Sequence, residues 1–309
     1  MARQNGPKTL MEFQTRFPDE EACWVYLRKA RWPRGFVCPA CGHRRSYPIR
    51  TRRLEQCRAC RRQTSVTAGT VLHGSRVPLR VWFWAFFFLG RHKQGISALQ
   101  FQQDTGLGSY QTAWSLLHKV RSALTEQDPF RLGGDVEVDE TYVGAREKGL
   151  HGGRQVGRKA IVVAAVERRG QRAGSLQLAV VKNVSADELG PFVERSVDPA
   201  TATIYSDAWR SYAHLPRRGF QHRPETQGRP ERRAMDLLPW AHTVFSNLKS
   251  WLTGTYHGVS KKHLPRYLLE FVYRFNRRWK QLDLFDFVLT ASAQAAPMPY
   301  RRLTAEPVG

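Results

Sequence analysis

Gly133 to Gly144 reads GGDVEVDETYVG, four carboxylates set into an apolar strand pattern within a chain of 309 residues and formal net charge +23. Alternation with period two puts Glu137 and Asp139 on one strand face and Val136 and Val138 on the other. Acids beside an apolar face are costly to bury unless cations or hydrogen-bond donors satisfy them. The segment therefore points to a metal site carried on a β-strand. The same pattern also fits an edge strand whose charges keep it from aggregating.

Downstream, strands alternate with helices. Asp135 to Val143, Ala160 to Glu167 and Leu176 to Val181 are predicted strands, joined by Gly/Arg-rich turns at Gly144 to Gly157 and Arg168 to Ser175. Ser185-Ala-Asp-Glu188 matches a capping box and is predicted to open a helix through Val197, after which Thr201 to Ser206 makes a short strand ending at Asp207. The basic stretch Arg217 to Arg233, broken by Pro224 and Pro230, reads as a loop with one short strand near Phe220 to Arg223. A helix follows from Pro239 to Leu252, PWAHTVFSNLKSWL. His242 and Lys249, seven residues apart, share nearly one face, and Val244, Leu248 and Trp251 mark an apolar stripe. Read singly, His242 fits a core or near-cap histidine and Lys249 a solvated charge. Placed after Asp207, the two also fit a site. The next predicted helix, Lys261 to Arg278, carries Glu270 as an ion-paired or auxiliary acid; Glu137 and Glu140 fit either groups behind a site or ordinary surface acids.

Upstream, four of the five cysteines fall as Cys38-Pro-Ala-Cys41 and Cys57-Arg-Ala-Cys60, with fifteen residues between the pairs. Two such turns complete the closed tetrahedral four-sulfur shell of a structural zinc site, and the intervening segment reads as a hairpin, making a zinc ribbon. Redox thiols are the alternative use of the same spacing. Cys23 fits a small buried hydrophobe. Beyond the ribbon, Pro78 to Gly90 is a predicted buried helix that Gly90 stops. Ile96 to Gln103 and Tyr110 to Leu124 are two further helices around a Gly-containing turn, either a helix-turn-helix or a plain helical hairpin. The second carries Gln111, Trp114, His118, Lys119 and Arg121, a mixture suited to groove contacts and packing.

Composition narrows the partner. Lys+Arg 49 against Asp+Glu 26 and a pI near 10.5 favour a polyanion, because phosphates reward basic surfaces by releasing condensed counterions. The longest apolar run, Val81 to Leu89, is far too short to span a bilayer. The N-terminal MARQNGPKTL lacks the apolar region of a secretory signal. No membrane association is expected, and the expected location is the reducing cytoplasm, at the nucleoid.

The order of these pieces, a strand with Asp139, two strands, a helix, a strand ending at Asp207, a loop, and a helix with His242 and Lys249, resembles the ribonuclease H-like core of DDE transposases. The stretches FPDEEACWVYLRKARWPRGFVCPACG, TAGTVLHGSRVPLRVWFWA and SNLKSWLTGTYHGVSKKHLPRYLLEFVYRFNRR are similar to ISXO2-like zinc-ribbon transposases of prokaryotic insertion sequences. The similarity runs from about Phe13 to Lys280. It implies an α/β fold, a ribonuclease H-like mixed sheet with flanking helices, preceded by a zinc ribbon and a helix-turn-helix-like segment. The implied divisions are residues 1–35 (N-terminal helical), 36–73 (zinc ribbon), 74–130 (helical, DNA-binding), 131–290 (catalytic) and 291–309 (flexible tail).

The resemblance further implies an enzyme that cleaves DNA and joins the strand by in-line phosphodiester displacement, with double-stranded DNA as partner and a homo-oligomer to bring two ends together. Asp139 and Asp207 match the first two acids of the family set, and Lys249 the basic residue seven positions beyond the third. That third position, usually Glu, is His242 here, at a separation of 242 − 207 = 35. The implied cofactors are structural Zn2+ at Cys38, Cys41, Cys57 and Cys60, and catalytic Mg2+ or Mn2+ at Asp139, Asp207 and His242. Because imidazole suits softer divalent ions, His242 shifts the expected preference toward manganese. A DNA-binding regulator with a decayed core, and a nuclease that cuts without joining, remain the alternative readings.

Overall fold

The computed structural model describes residues 6–125, 130–144, 159–225 and 237–305, which fall into two units, 6–125 with 279–305 and 130–278. Most of the predicted turn at Gly144 to Gly157, part of the basic stretch Arg217 to Arg233, and residues 1–5 and 306–309 lie outside the described residues.

The first unit opens with α1 (Leu10–Arg16) and α2 (Glu20–Arg31), capped by the side chains of Thr9 and Asp19, which accept from the amides of Glu12 and Ala22. Cys23 is buried in α2, as its setting predicts. An antiparallel sheet follows, β1 (Ser46–Ile49), β2 (Leu54–Cys57) and β3 (Gln63–Ser65), the ribbon read from the cysteine spacing. The chain then forms α3 (Leu79–Arg91), α4 (Ala98–Thr105) and α5 (Tyr110–Ala123), with Gly106 closing α4 in the left-handed region at φ 67°. On α5, His118 and Arg121 are buried and belong to the packing face, while Gln111 is exposed. The C-terminal helices Leu284–Gln294 and Tyr300–Thr304 complete this unit. Phe285 stacks on Phe17 with ring centroids 5.6 Å apart, and Phe83 meets Phe17 edge-on at 4.8 Å. Gly90 does not end α3, which runs to Arg91: a Cβ on Gly90 would lie 2.9 Å from the Phe285 backbone nitrogen, so its bareness lets the C-terminal helix approach.

The second unit is a five-stranded mixed sheet with helices on both faces, the ribonuclease H-like arrangement. Antiparallel β4 (Leu132–Val143), β5 (Ala160–Arg169) and β6 (Arg172–Val181) form a meander. Helix α6 (Ala186–Ser196) carries the chain across to β7 (Val197–Asp207), parallel to β4, and β8 (Gln221–Glu225) pairs parallel to β7. The spatial order is β6-β5-β4-β7-β8, which places β4 at the centre.

Alternation along the strands sorts the two faces. Val136, Val138, Ile161, Val163 and Ile204 pack with Leu189, Phe192 and Val193 of α6. The opposite residues Val162, Ala164 and Val166 meet α7 (Pro239–Tyr256) and α8 (Leu264–Asn276) through Val244, Phe245, Leu248 and Leu268. Each such aliphatic side chain, fully buried, contributes roughly 1.5–3 kcal/mol on leaving water. Glu137, Asp139 and Thr141 therefore point from the central strand toward the α7 side.

The ribbon's two cysteine turns, Cys38-Pro-Ala-Cys-Gly42 and Cys57-Arg-Ala-Cys-Arg61, share one backbone course. Each ends in a left-handed residue, Gly42 at φ 71° in the first and Arg61 at φ 63° in the second. Glycine adopts that region freely, whereas other L-residues are strained there by roughly 1–2 kcal/mol. Arg61→Gly should raise the thermal midpoint of the zinc-loaded protein and Gly42→Ala should lower it, both read by thermal unfolding.

Candidate metal centres

The first centre is made by the ribbon. Cys38 and Cys60 Sγ lie 3.6 Å apart, as do Cys41 and Cys57 Sγ, and all four sulfurs fall within 4.8 Å of one another. Disulfide sulfurs sit about 2.05 Å apart, so these are thiols. Four sulfurs about 2.3 Å from a tetrahedral zinc stand about 3.8 Å from each other, which this cluster matches. Backbone bonds shape both turns: Gly42 N donates to Cys38 O at 3.0 Å, and Arg61 N to Cys57 O at 3.1 Å. Cys38 and Cys57 are buried while Cys41 and Cys60 face outward. The four residues fit zinc.

The second centre lies in the second unit, where β4 and β7 run parallel. Glu137 opposite Tyr205 is the last pair of the two strands, and Asp139 and Asp207 each lie two residues beyond it, on the same face. Helix α7 packs against β4 and β5 on that face and brings His242 Nε2 to 3.8 Å from Asp139 Oδ2. Two donors on one ion about 2.1 Å away are separated by roughly 3.0–4.2 Å, so this pair can share a divalent cation. Asp207 Oδ1 also accepts from the Trp209 amide at 3.3 Å. Among the described residues, only the four cysteines bring three or more ligand atoms within 4.8 Å of one another. Asp139 is the residue common to the group: His242 approaches it from α7, and the charge of Asp207 acts on it from β7.

That neighbourhood is strongly negative. Burial pushes the Asp139 carboxyl up to about 8, helped by the charges of Glu140, Asp207 and Glu137 and opposed by the Glu140 amide, which donates to Asp139 Oδ1 at 2.9 Å. An acid held so far above its usual range asks for a cation. Lys249 answers in part: its ammonium is drawn down by partial desolvation and by Lys159, and drawn up by Asp139. Glu140 accepts from the buried Tyr212 hydroxyl at 2.7 Å. Glu137 is wholly buried, bonded to Arg168 and to the Ala241 amide, each at 2.8 Å. Glu270 is also buried and pairs with Arg274 at 3.2 Å one turn along α8. Tyr212 carries no local signal, and Arg168, assigned by the sequence to the turn Arg168 to Ser175, lies instead within β5. Only the strand register, which sets Val166 opposite Glu137 and so brings Arg168 diagonally near it, would have revealed Arg168.

Residues 131–276 match the family model described as the ISXO2-like transposase domain, and residues 18–63 that of the transposase zinc-ribbon domain. A relative from Halobacterium salinarum, described as an uncharacterized protein in transposable element ISH50, is 28% identical over 290 residues, covering 84% of this chain and 91% of that protein. No helix among the described residues is long and apolar enough to cross a membrane.

The raised pKa of Asp139 has a thermodynamic sign. A carboxyl protonated in the fold and ionised in the unfolded chain stabilises fully below its unfolded value of 3.8, and that stability drains away as pH rises toward about 8. Asp139→Asn removes the ionisation. Without added divalent ions, its thermal midpoint should exceed the parent's at pH 8, and the gap should narrow toward pH 5; a gap that is constant across this range would contradict the assignment.

Proposed function

From a chain that belongs to the ISXO2-like transposases and carries their zinc ribbon, we propose a DNA transposase that cleaves at the ends of an insertion sequence and joins the freed 3′ end to target DNA. What supports this reading is that Asp139 and Asp207, each two residues past the last pair of parallel strands β4 and β7, lie on the sheet face covered by the helix that bears His242 and Lys249. Acids on a sheet are common; acids gathered at one edge of a buried face, with an imidazole 3.8 Å away, are there to hold cations.

Asp139, Asp207 and His242 would hold the divalent ions. The chemistry such ions would supply there is activation of a water or a 3′-hydroxyl and stabilisation of the leaving oxygen of an in-line displacement. The chain's own residues orient the rest. Lys249, on the helix that carries His242, would meet a DNA phosphate and fix its register without reading sequence. The Tyr212 hydroxyl holds Glu140 in place beside Asp139. His242, a nitrogen donor among oxygens, would tilt the preference toward manganese over magnesium.

The ribbon supplies a basic surface for DNA. From Cys38 to Ser65 the only acid is Glu55, and it is buried against Arg28 and Ser46. Arg44, Arg45, Arg58 and Arg62 are all exposed on this segment. The division into ribbon, helical DNA-binding region and catalytic region, and a multimer that gathers two DNA ends, belong to the same proposal. The replacement of the family's usual Glu by His242 favours, as a second reading, a decayed core that only binds DNA.

Labelled DNA ends separate the readings, since a regulator only binds, a nuclease nicks, and a transposase yields joined product. Asp139→Ala and Asp207→Ala should reduce joining to background while circular dichroism stays parental, and His242→Glu should keep joining. Joining that survives either alanine would end the assignment. Replacing Arg44, Arg58 and Arg62 by Ala together should flatten the salt dependence of DNA binding by about 2–3 in log–log slope, since each phosphate contact contributes about 0.9.

A further inference from the structure

On the reading above, in which Asp139, Asp207 and His242 hold divalent ions, we propose that Glu137 and Arg168 are positioning residues that fix the three ligand-bearing elements to one another. Glu137 precedes Asp139 by two residues on the same face of β4 and is fully buried. Its Oε1 accepts from Arg168 Nε at 2.8 Å and its Oε2 from Ala241 N at 2.8 Å. Both oxygens are occupied and shielded from solvent, so Glu137 is not itself an ion ligand.

Helix α7 begins without a cap of its own. Leu238 occupies the N-cap position and offers no side-chain hydrogen bond, and Pro239 follows it. The first-turn amides of a helix need acceptors and carry partial positive charge. Glu137 supplies the acceptor from the strand that α7 covers, at the residue immediately before His242. The helix start is therefore pinned to the strand that carries Asp139.

Arg168 extends the pin to the third ligand. Besides Glu137 it donates to Leu237 O at 3.2 Å, just before α7, and its guanidinium lies 4.1 Å from the ring centroid of Tyr205. Tyr205 precedes Asp207 by two residues on β7, as Glu137 precedes Asp139 on β4. One guanidinium thus touches Glu137, Tyr205 and Leu237, which lie two, two and five residues before Asp139, Asp207 and His242. Groups behind metal ligands commonly govern affinity by about 10–100-fold.

The test uses the full-length zinc-loaded protein and Mn2+ binding followed by electron paramagnetic resonance, with zinc content measured separately. Glu137→Gln should weaken Mn2+ binding by about 10-fold or more, leave zinc content parental, and recover joining when Mn2+ is raised, with the KM for DNA unchanged. Arg168→Lys, which keeps a cation beside Glu137 and loses the reach to Leu237 and Tyr205, should give a smaller weakening. A lower thermal midpoint with parental Mn2+ affinity in both variants would overturn the inference, because a purely structural pair has that signature. Asp139→Asn is the control. If it too binds Mn2+ like the parent, the metal site itself is misplaced and the proposed function fails, an outcome distinct from failure of Glu137 and Arg168 alone.

Discussion

The register of β4 against β7 is the constraint on which the second unit depends. Glu137 opposite Tyr205 puts Asp139 and Asp207 on one face, each two residues past the last pair, and a slip of one residue would turn one acid into the apolar layer beneath α6. Val136, Val138 and Ile204 hold that register, because they are fully buried on the α6 side and have no other place to go. The hydrophobic face thus specifies where the carboxylates stand. Sheet packing and site geometry are two consequences of one alternation.

The ribbon obeys a different constraint. Its buried apolar cluster consists of Phe36, Cys38 and Cys57 with Trp32 against it, too little to order thirty residues by burial alone. Metal ligation by the four sulfurs is the natural replacement, since a site that does not exist in the unfolded chain converts binding energy into folding energy. This leaves the ribbon surface free of apolar duty, and arginines occupy it. Glu55, the one acid in the segment, is consumed internally by Arg28 and Ser46, so the outer face keeps its positive charge.

Local signals made much of this legible in the sequence. Period-two alternation placed β4 with Glu137 and Asp139 on one face, cysteine spacing placed the ribbon, and the 3.6 period of Val244, Leu248 and Trp251 placed α7 with His242 outside its buried stripe. What was not legible depends on contacts between distant segments. Glu137 looked like any acid on a strand until α7 arrived with an uncapped first turn for it to bind. Gly90 looked like a helix stop because nothing local says that Phe285 will press against it. His118 and Arg121 looked as fit for a groove as for a core, since helical spacing does not say which polar residues a neighbouring helix will cover. That residues 279–305 belong with the first unit likewise emerges only in three dimensions, because nothing local in the stretch names its partner.

His242 is where the physics of the fold and of the site bear on each other. Burial and the charges of Glu140, Asp207 and Glu137 already hold the Asp139 carboxyl up to about 8. A glutamate in place of His242 would add another negative charge 3.8 Å away from Asp139, raising the cost of the ion-free fold still further. An imidazole adds no such negative charge, so it spares the fold further repulsion among Asp139, Asp207, Glu137 and Glu140. On the proposed role of these residues, it would for the same reason lower the electrostatic pull on a hard cation such as magnesium, and the histidine would exchange affinity for that ion against stability of the scaffold.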